Sequence, residues 1–252
     1  MIEPWQLPLL FIAGLAAGFV DTIAGGGGMI TLPVLLSLGL DPAHALGTNK
    51  LQSTFGSASA SAHFAHAGTV DLKECGRGFA ITFVAAIFGT LAVQQVNPAF
   101  LNRLIPGLLV VLVVYALLKP DLGALDVHPR MGRRWFDLTF GLLLGFYDGF
   151  FGPSTGSFWA LAFVTGLGFN LTKATGHTKV MNFASNLASL LTFLLAGLVV
   201  FPAGLAMGCG QLLGARLGSR MVVKRGTKFI RPVFITVVLL ITAKLLYGAW
   251  RK

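Results

Sequence analysis

Two lysines stand inside apolar segments, each leading a polar stripe. Lys50 lies in GTNKLQSTFGS and Lys179 in GHTKVMNFASN. Ser53 and Ser57 follow the first at i+3 and i+7, and Asn182 and Asn186 follow the second at the same spacing. Such positions share one face of an α-helix. Thr48 and Asn49 precede the first lysine, and His177 and Thr178 precede the second. An ammonium followed by hydroxyls or amides can bind a small anion or pair with a buried carboxylate, and an ionisable group at membrane depth faces the protein interior or a wet cavity.

The carboxylates that could answer them are Asp21 in GFVDTIAGGGG and Asp148 in GFYDGFFGPSTG. Each stands just before a glycine-rich break: Gly25, Gly26, Gly27 and Gly28 in one case, and Gly152, Ser154, Thr155 and Gly156 in the other. Glycine allows a sharp turn and leaves N–H groups open at the start of the next helix, where the helix dipole favours an anion. The same glycines also permit close helix packing. Asp21 and Asp148 are expensive unless paired or protonated, so they are expected to hold the lysines or to carry protons. Tyr147, beside Asp148, is placed to donate a phenolic hydrogen bond or to fill space. His177 is expected to line the site, because its counterpart is Thr48.

The segments around these residues define the class of protein. Of 252 residues, 55% are hydrophobic and 11% charged, whereas a soluble domain carries roughly a quarter charged residues. The apolar residues fall in blocks such as 5–24, 78–96, 98–118, 135–151, 180–202 and 229–250, the length of membrane-crossing helices. The expectation is an all-α integral membrane protein. Met1 to Trp5 hold no Lys or Arg, so the first segment is expected to remain as a span. The net charge of +10 sits mainly in segment-flanking loops, which speaks for topology and not for nucleic acid. Cys75 and Cys209 have no metal spacing and read as packing thiols; no metal or cofactor is expected, and no GxxxxGK[ST] motif is present.

The chain repeats itself. GFVDTIAG at 18–25 recurs as GFYDGFFG at 145–152, and GLDPAHALGTNK at 39–50 as GFNLTKATGHTK at 168–179, offsets of 127 and 129. Residues 1–118 form one membrane repeat, 119–134 a cytoplasmic linker and 135–252 a second repeat. Each half reads as about five segments, 8–10 in total: a long one (5–24; 135–151), a short one (29–40; 157–168) and three spans (43–66, 78–96, 98–118; 172–196, 202–222, 229–250). Asp41 and Asn170 are expected to cap the third segment of each half, with Pro42 at its first position. The last two spans of the second half are flanked by Arg216, Arg220, Lys224, Arg225, Lys228 and Arg231, but the matching loop of the first half holds only Arg103. If basic loops stay cytoplasmic, the halves have inverted topology and both termini lie outside the cytoplasm. Trp5 and Trp250 then suit one membrane face and Trp135 the other. Inverted repeats with interrupted helices are the architecture of secondary transporters.

The stretches GFVDTIAGGGGMITLPVLLSLGLDPAHALGTNK and GFYDGFFGPSTGSFWALAFVTGLGFNLTKATGHTK closely resemble the TauE/SafE sulfite exporter family, in its YfcA-type branch. The resemblance covers almost the whole chain. It implies a bacterial inner-membrane permease for a small, often sulfur-containing anion such as sulfite or an organosulfonate, and neither an enzyme nor an ATPase subunit. It carries no residue-level site, so the residues named above rest on the repeat. The expected partners are a small anionic substrate and the lipid bilayer; a homo-oligomer stays open. Two competing functions use the same residues: an anion channel, and an intramembrane serine hydrolase built on Ser154 or Ser157 with His177.

Overall fold

The computed structural model describes residues 3–95 and 128–226, with 228, 229, 232 and 236. Every regular element among the described residues is a helix. They are α1 (Gln6–Ala24), α2 (Gly28–Ser37), α3 (Pro42–His66), α4 (Leu72–Val93), α5 (Arg133–Phe150), α6 (Thr155–Leu167), α7 (Leu171–Leu195) and α8 (Phe201–Arg225). The expected spans 98–118 and 229–250, with Trp250, lie outside or almost wholly outside the described residues.

Local chemistry sets the helix ends. Gly25 takes the left-handed conformation, φ 75°, and closes α1 by donating its N–H to the Asp21 carbonyl. Asp41 caps α3 by accepting from the Ala43 and His44 amides, with Pro42 in the first turn. Asn170 caps α7 by accepting from the Lys173 amide. Partial burial pushes the Asp41 pKa up, but hydrogen bonds from His44 and Ala43 and the charge of the His44 ring outweigh it. The carboxyl therefore lies below its ordinary 3.8.

Among the described residues, large apolar side chains are exposed on the outer helices and many polar ones are buried alongside an apolar core. α1 and α4 have the length and apolarity of membrane-crossing helices, and α2 and α6 are shorter apolar ones. Exposed side chains include Leu9 and Ile12 on α1, Phe88 on α4, Leu143 and Phe146 on α5, and Leu213 and Leu217 on α8. The polar helices α3 and α7 hold the centre, where Thr48, Asn49, Lys50, Gln52, Thr178, Lys179, Asn182 and Ser185 are all buried. Water favours the reverse arrangement; a hydrocarbon solvent favours this one.

Close glycine contacts fix the helix directions. A Cβ added at Gly14, Gly18, Gly210 or Gly214 would lie 2.0–2.4 Å from a carbonyl oxygen of the facing helix, so α1 and α8 touch backbone to backbone and run parallel. α4 and α5 meet in the same way: Gly145 faces Thr82, Gly149 faces Ala86 and Gly89 faces Phe146. α3 runs parallel to α8, with Phe55 on Gly208 and Gly56 on Gln211. α7 runs parallel to α4, with Met181 beside Gly78 and Ser189 bonded to Thr90. α3 and α7 cross antiparallel, since Gly47 abuts Leu198 and Gly176 abuts Val70. α3 and α7 are continuous through these last glycines, whose missing side chains admit a neighbouring segment.

Because α1 and α3 both run parallel to α8, the chain must turn back between them, and α2 makes that return. α6 does the same between α5 and α7. Each glycine break is thus the tip of a hairpin, and the tips touch: a Cβ on Gly25 would lie 2.3 Å from the Ser157 nitrogen. Cys75 is buried as expected, but Cys209 is exposed on α8, so it is no packing thiol among the described residues.

Substituting alanine separates packing from propensity. Alanine in a helix is intrinsically favoured over glycine by up to about 1 kcal/mol. Gly76→Ala, which meets open space, should leave thermal unfolding in detergent unchanged or slightly raised. Gly214→Ala should destabilise by about 1–3 kcal/mol through overpacking.

Candidate functional site

The lysines reach across the molecule. Asp148 lies in the last turn of α5, and the Lys50 ammonium from α3 donates to its carbonyl at 2.5 Å and to its Oδ1 at 2.7 Å. Asp21 lies in the last turn of α1, and Lys179 from α7 donates to its carbonyl at 2.6 Å and to its Oδ2 at 2.8 Å. Each ammonium therefore caps the C-terminal end of a broken helix from the other half of the chain. There it meets a carbonyl of the helix's last turn, the negative end of the helix dipole and a carboxylate together; the Asp21 carbonyl also accepts the Gly25 amide. That match gives hydrogen-bonded partners to two lysines that are only 2% and 1% exposed.

The remaining carboxylate oxygens differ. Asp148 Oδ2 accepts from the Ser185 hydroxyl. Asp21 Oδ1 accepts from the Gly27 amide at 3.1 Å, which ties it to the break itself. The pairs differ in access too: the Asp148 side chain is 5% exposed and that of Asp21 is 18%.

Between the hairpin tips lies a recess of about 360 Å³, its open mouth included. Its lining contains Asp21, Gly25, Gly28, Asn49, Lys50, Ser53, Asp148, Gly152, Ser154, Thr155, Gly156, Asn182 and Asn186. The N–H groups of Gly28 and Gly156, in the first turns of α2 and α6, find no acceptor among the described residues. The Asn182 side chain is buried with its Oδ1 unpartnered. Two positive helix ends and open amide groups thus face one recess. The two ammoniums and two carboxylates of the paired groups cancel in formal charge.

Several expected site residues fall outside this lining. Gly26 and Gly27 form the first break without facing the recess, and Lys179 touches it only through Asp21. Thr48 accepts from the Val200 amide at 3.0 Å, and Ser57 donates to the Ser53 carbonyl at 2.7 Å. Tyr147 donates to the Pro153 carbonyl at 2.9 Å and so pins the second break. Thr178 is buried with its hydroxyl unpartnered. His177 packs against Phe163 and Phe169, and its Nδ1 donates to the Lys173 carbonyl. The Ser157 hydroxyl goes to the Ala24 carbonyl, and that of Ser154 to the Met29 sulfur. Neither serine is paired with His177, so the geometry gives the hydrolase reading no support.

Three residues escaped the sequence reading. Ser185 holds Asp148, and Thr31 and Gln52 both bond to Asn49 Oδ1, at 2.5 and 2.7 Å. A comparison of the halves could not reveal them: at an offset of 129, Ser185 matches Gly56 and Gln52 matches Met181. The one available signal was helical spacing, since Ser185 lies three residues beyond Asn182.

An apolar coat around a charge-bearing centre defines a helical membrane protein, and a recess between broken helices is the kind of site membrane transporters use. Comparison with known proteins agrees. The family model described as Sulfite exporter TauE/SafE matches residues 10–245, and the chain belongs to that family. It is similar to the probable membrane transporter protein YfcA of Escherichia coli (strain K12), 48% identical over 249 residues, covering 99% of this chain and 93% of the relative. A probable membrane transporter protein of Haemophilus influenzae is 46% identical over 241 residues, 96% of this chain and 94% of that one. The probable membrane transporter protein YunE of Bacillus subtilis (strain 168) is 25% identical over 268 residues, 95% and 97% respectively. No solved structure matches the chain. The protein is accordingly a membrane transporter of the TauE/SafE sulfite exporter family and not an enzyme.

Removing one member of a buried pair strands the other. Lys50→Ala and Asp148→Ala should each destabilise the purified protein by about 3–5 kcal/mol, and the double variant Lys50→Met/Asp148→Leu should recover most of the loss. Unfolding in detergent micelles measures this; additive losses would show that the two groups do not act as a pair.

Proposed function

We propose that the protein is a secondary carrier that moves a small sulfur-containing oxyanion, such as sulfite or an organosulfonate, by alternating access at the recess between the hairpin tips. The observation that carries this reading is the crossed arrangement of Lys50 on Asp148 and Lys179 on Asp21 around a recess with open amides. The cargo class follows the family's description as sulfite exporters.

The electrostatics favour coupling to a proton. With its four charges cancelled, the resting site offers an incoming anion only helix dipoles and amides. Protonating one aspartate leaves its lysine uncompensated, and the anion then restores neutrality. Anion and proton entering together leave the net charge of the site unchanged, which favours their joint movement in a low-dielectric interior. Gly28, Gly156, Ser53, Asn182 and Asn186 would then donate to the oxyanion, and the freed ammonium would face it.

Alternating access would come from two halves inverted in the membrane and rocking against each other. The antiparallel crossing of α3 and α7, the matched α1–α8 and α4–α5 packings and the uneven basic loops support that topology. In it both termini lie outside the cytoplasm, and the bilayer is the bacterial inner membrane.

Purified protein in liposomes under an imposed pH gradient tests the reading. Labelled sulfite or organosulfonate uptake should be saturable, and Lys50→Ala or Lys179→Ala should reduce it at least about tenfold, a loss of roughly 1.4 kcal/mol. Uptake unchanged in both variants overturns the site, and steady unsaturable conductance would identify a channel instead.

A further inference from the structure

We infer that the two matched ion pairs are not equivalent: Asp21 of the Asp21–Lys179 pair exchanges the proton, while Asp148 stays ionised and holds Lys50. This rests on the proton-coupled carrier proposed above and assigns its coupling residue.

The assignment comes from how each carboxylate is held. Asp148 is nearly sealed, with Lys50 on one oxygen and the Ser185 hydroxyl on the other. A hydrogen bond donated to the ionised form favours that form. Asp21 is more than three times as exposed, lines the recess, and has only the Gly27 amide, at 3.1 Å, on its second oxygen. At an offset of 129 no hydroxyl matches Ser185 there. The matching position is Gly56, where an added Cβ would lie 2.5 Å from Gln211 Cγ.

The charged groups around Asp21 are few. α7 presents Lys179, and across the recess α3 presents Lys50 and α5 presents Asp148. At the recess α2 and α6 contribute the glycines and hydroxyls of their first turns, and α8 meets α1 nearby through Gln211 at Gly18. A proton on Asp21 weakens two bonds at once. It loosens the Lys179 ammonium, and it loosens the Gly27 amide that tethers the start of α2. The adjoining Gly28 amide faces the recess, so one protonation releases both a cation and a helix N-terminus toward the anion. Asp148 has no such link, because its second oxygen is bonded to a side chain on a continuous helix.

Infrared difference spectroscopy on the reconstituted full-length protein between acidic and neutral pH reads the carboxyls directly and needs no cargo. A protonated-carboxyl band should appear in the wild type, vanish in Asp21→Asn and persist in Asp148→Asn. Its loss in Asp148→Asn, its persistence in Asp21→Asn, or its absence from the wild type overturns the assignment. Ser185→Ala guards against a variant that fails to fold: it should add a second titrating carboxyl, and an unchanged spectrum would refute the role given to Ser185. Sulfite uptake by the same vesicles is scored separately. Vesicles that take up no sulfite while the band behaves as expected count against the cargo and leave the division between the two aspartates standing.

Discussion

A bare charge deep in a bilayer protein costs several kcal/mol, and much of this structure is a response to that cost. Lys50 and Lys179 meet it by reaching into the opposite half of the chain, where the last turn of a broken helix presents the carbonyl and the carboxylate of one aspartate together. The glycine breaks end each helix within a turn of that aspartate, which places the lysine at the negative end of the helix dipole. Turning the chain back within the protein then needs short return helices, α2 and α6, whose own N-termini are left pointing at the space between the tips. Ion pairs, breaks and recess are therefore one construction.

The same constraint orders the packing around it. α3 and α7 carry the lysines, so they take the centre and are shielded from lipid by α1, α4, α5 and α8. The shielding helices approach one another through glycines rather than large side chains, since lipid gives little hydrophobic reward for helix association and close van der Waals contact must supply it. Each half also lends its fourth described helix to the other: α4 packs on α5 and α7, and α8 on α1 and α3. The halves interlock even though the sequence divides neatly between them.

Much of this was legible before any coordinates. Hydropathy and the internal repeat located the helices to within a few residues for most of the described chain, because membrane segments and their caps leave strong local signals: Asp41, Asn170 and the glycine runs are examples. The start of α4, at Leu72, was placed six residues late because Lys73, Glu74 and Arg77 interrupt its apolar pattern. Lysines, aspartates and breaks were recognised as one set, but which lysine meets which aspartate depends on the fold. Ser185, Gln52 and Thr31 stayed hidden because they break the repeat. His177, Thr48 and Ser57 shared its polar spacing, but their side chains turned toward a carbonyl or amide nearby instead of the recess. Helical spacing assigns a face; it does not say which polar groups on that face are already satisfied.

The central claim is that each lysine is held by the aspartate of the other half at the tip of a broken hairpin. An experimentally determined density map of the protein in a lipid nanodisc tests it most directly. The account predicts the Lys50 ammonium on Asp148 and the Lys179 ammonium on Asp21, with both glycine breaks facing one recess. Lysines bonded to the aspartate of their own half, or turned outward toward the acyl chains, would contradict it.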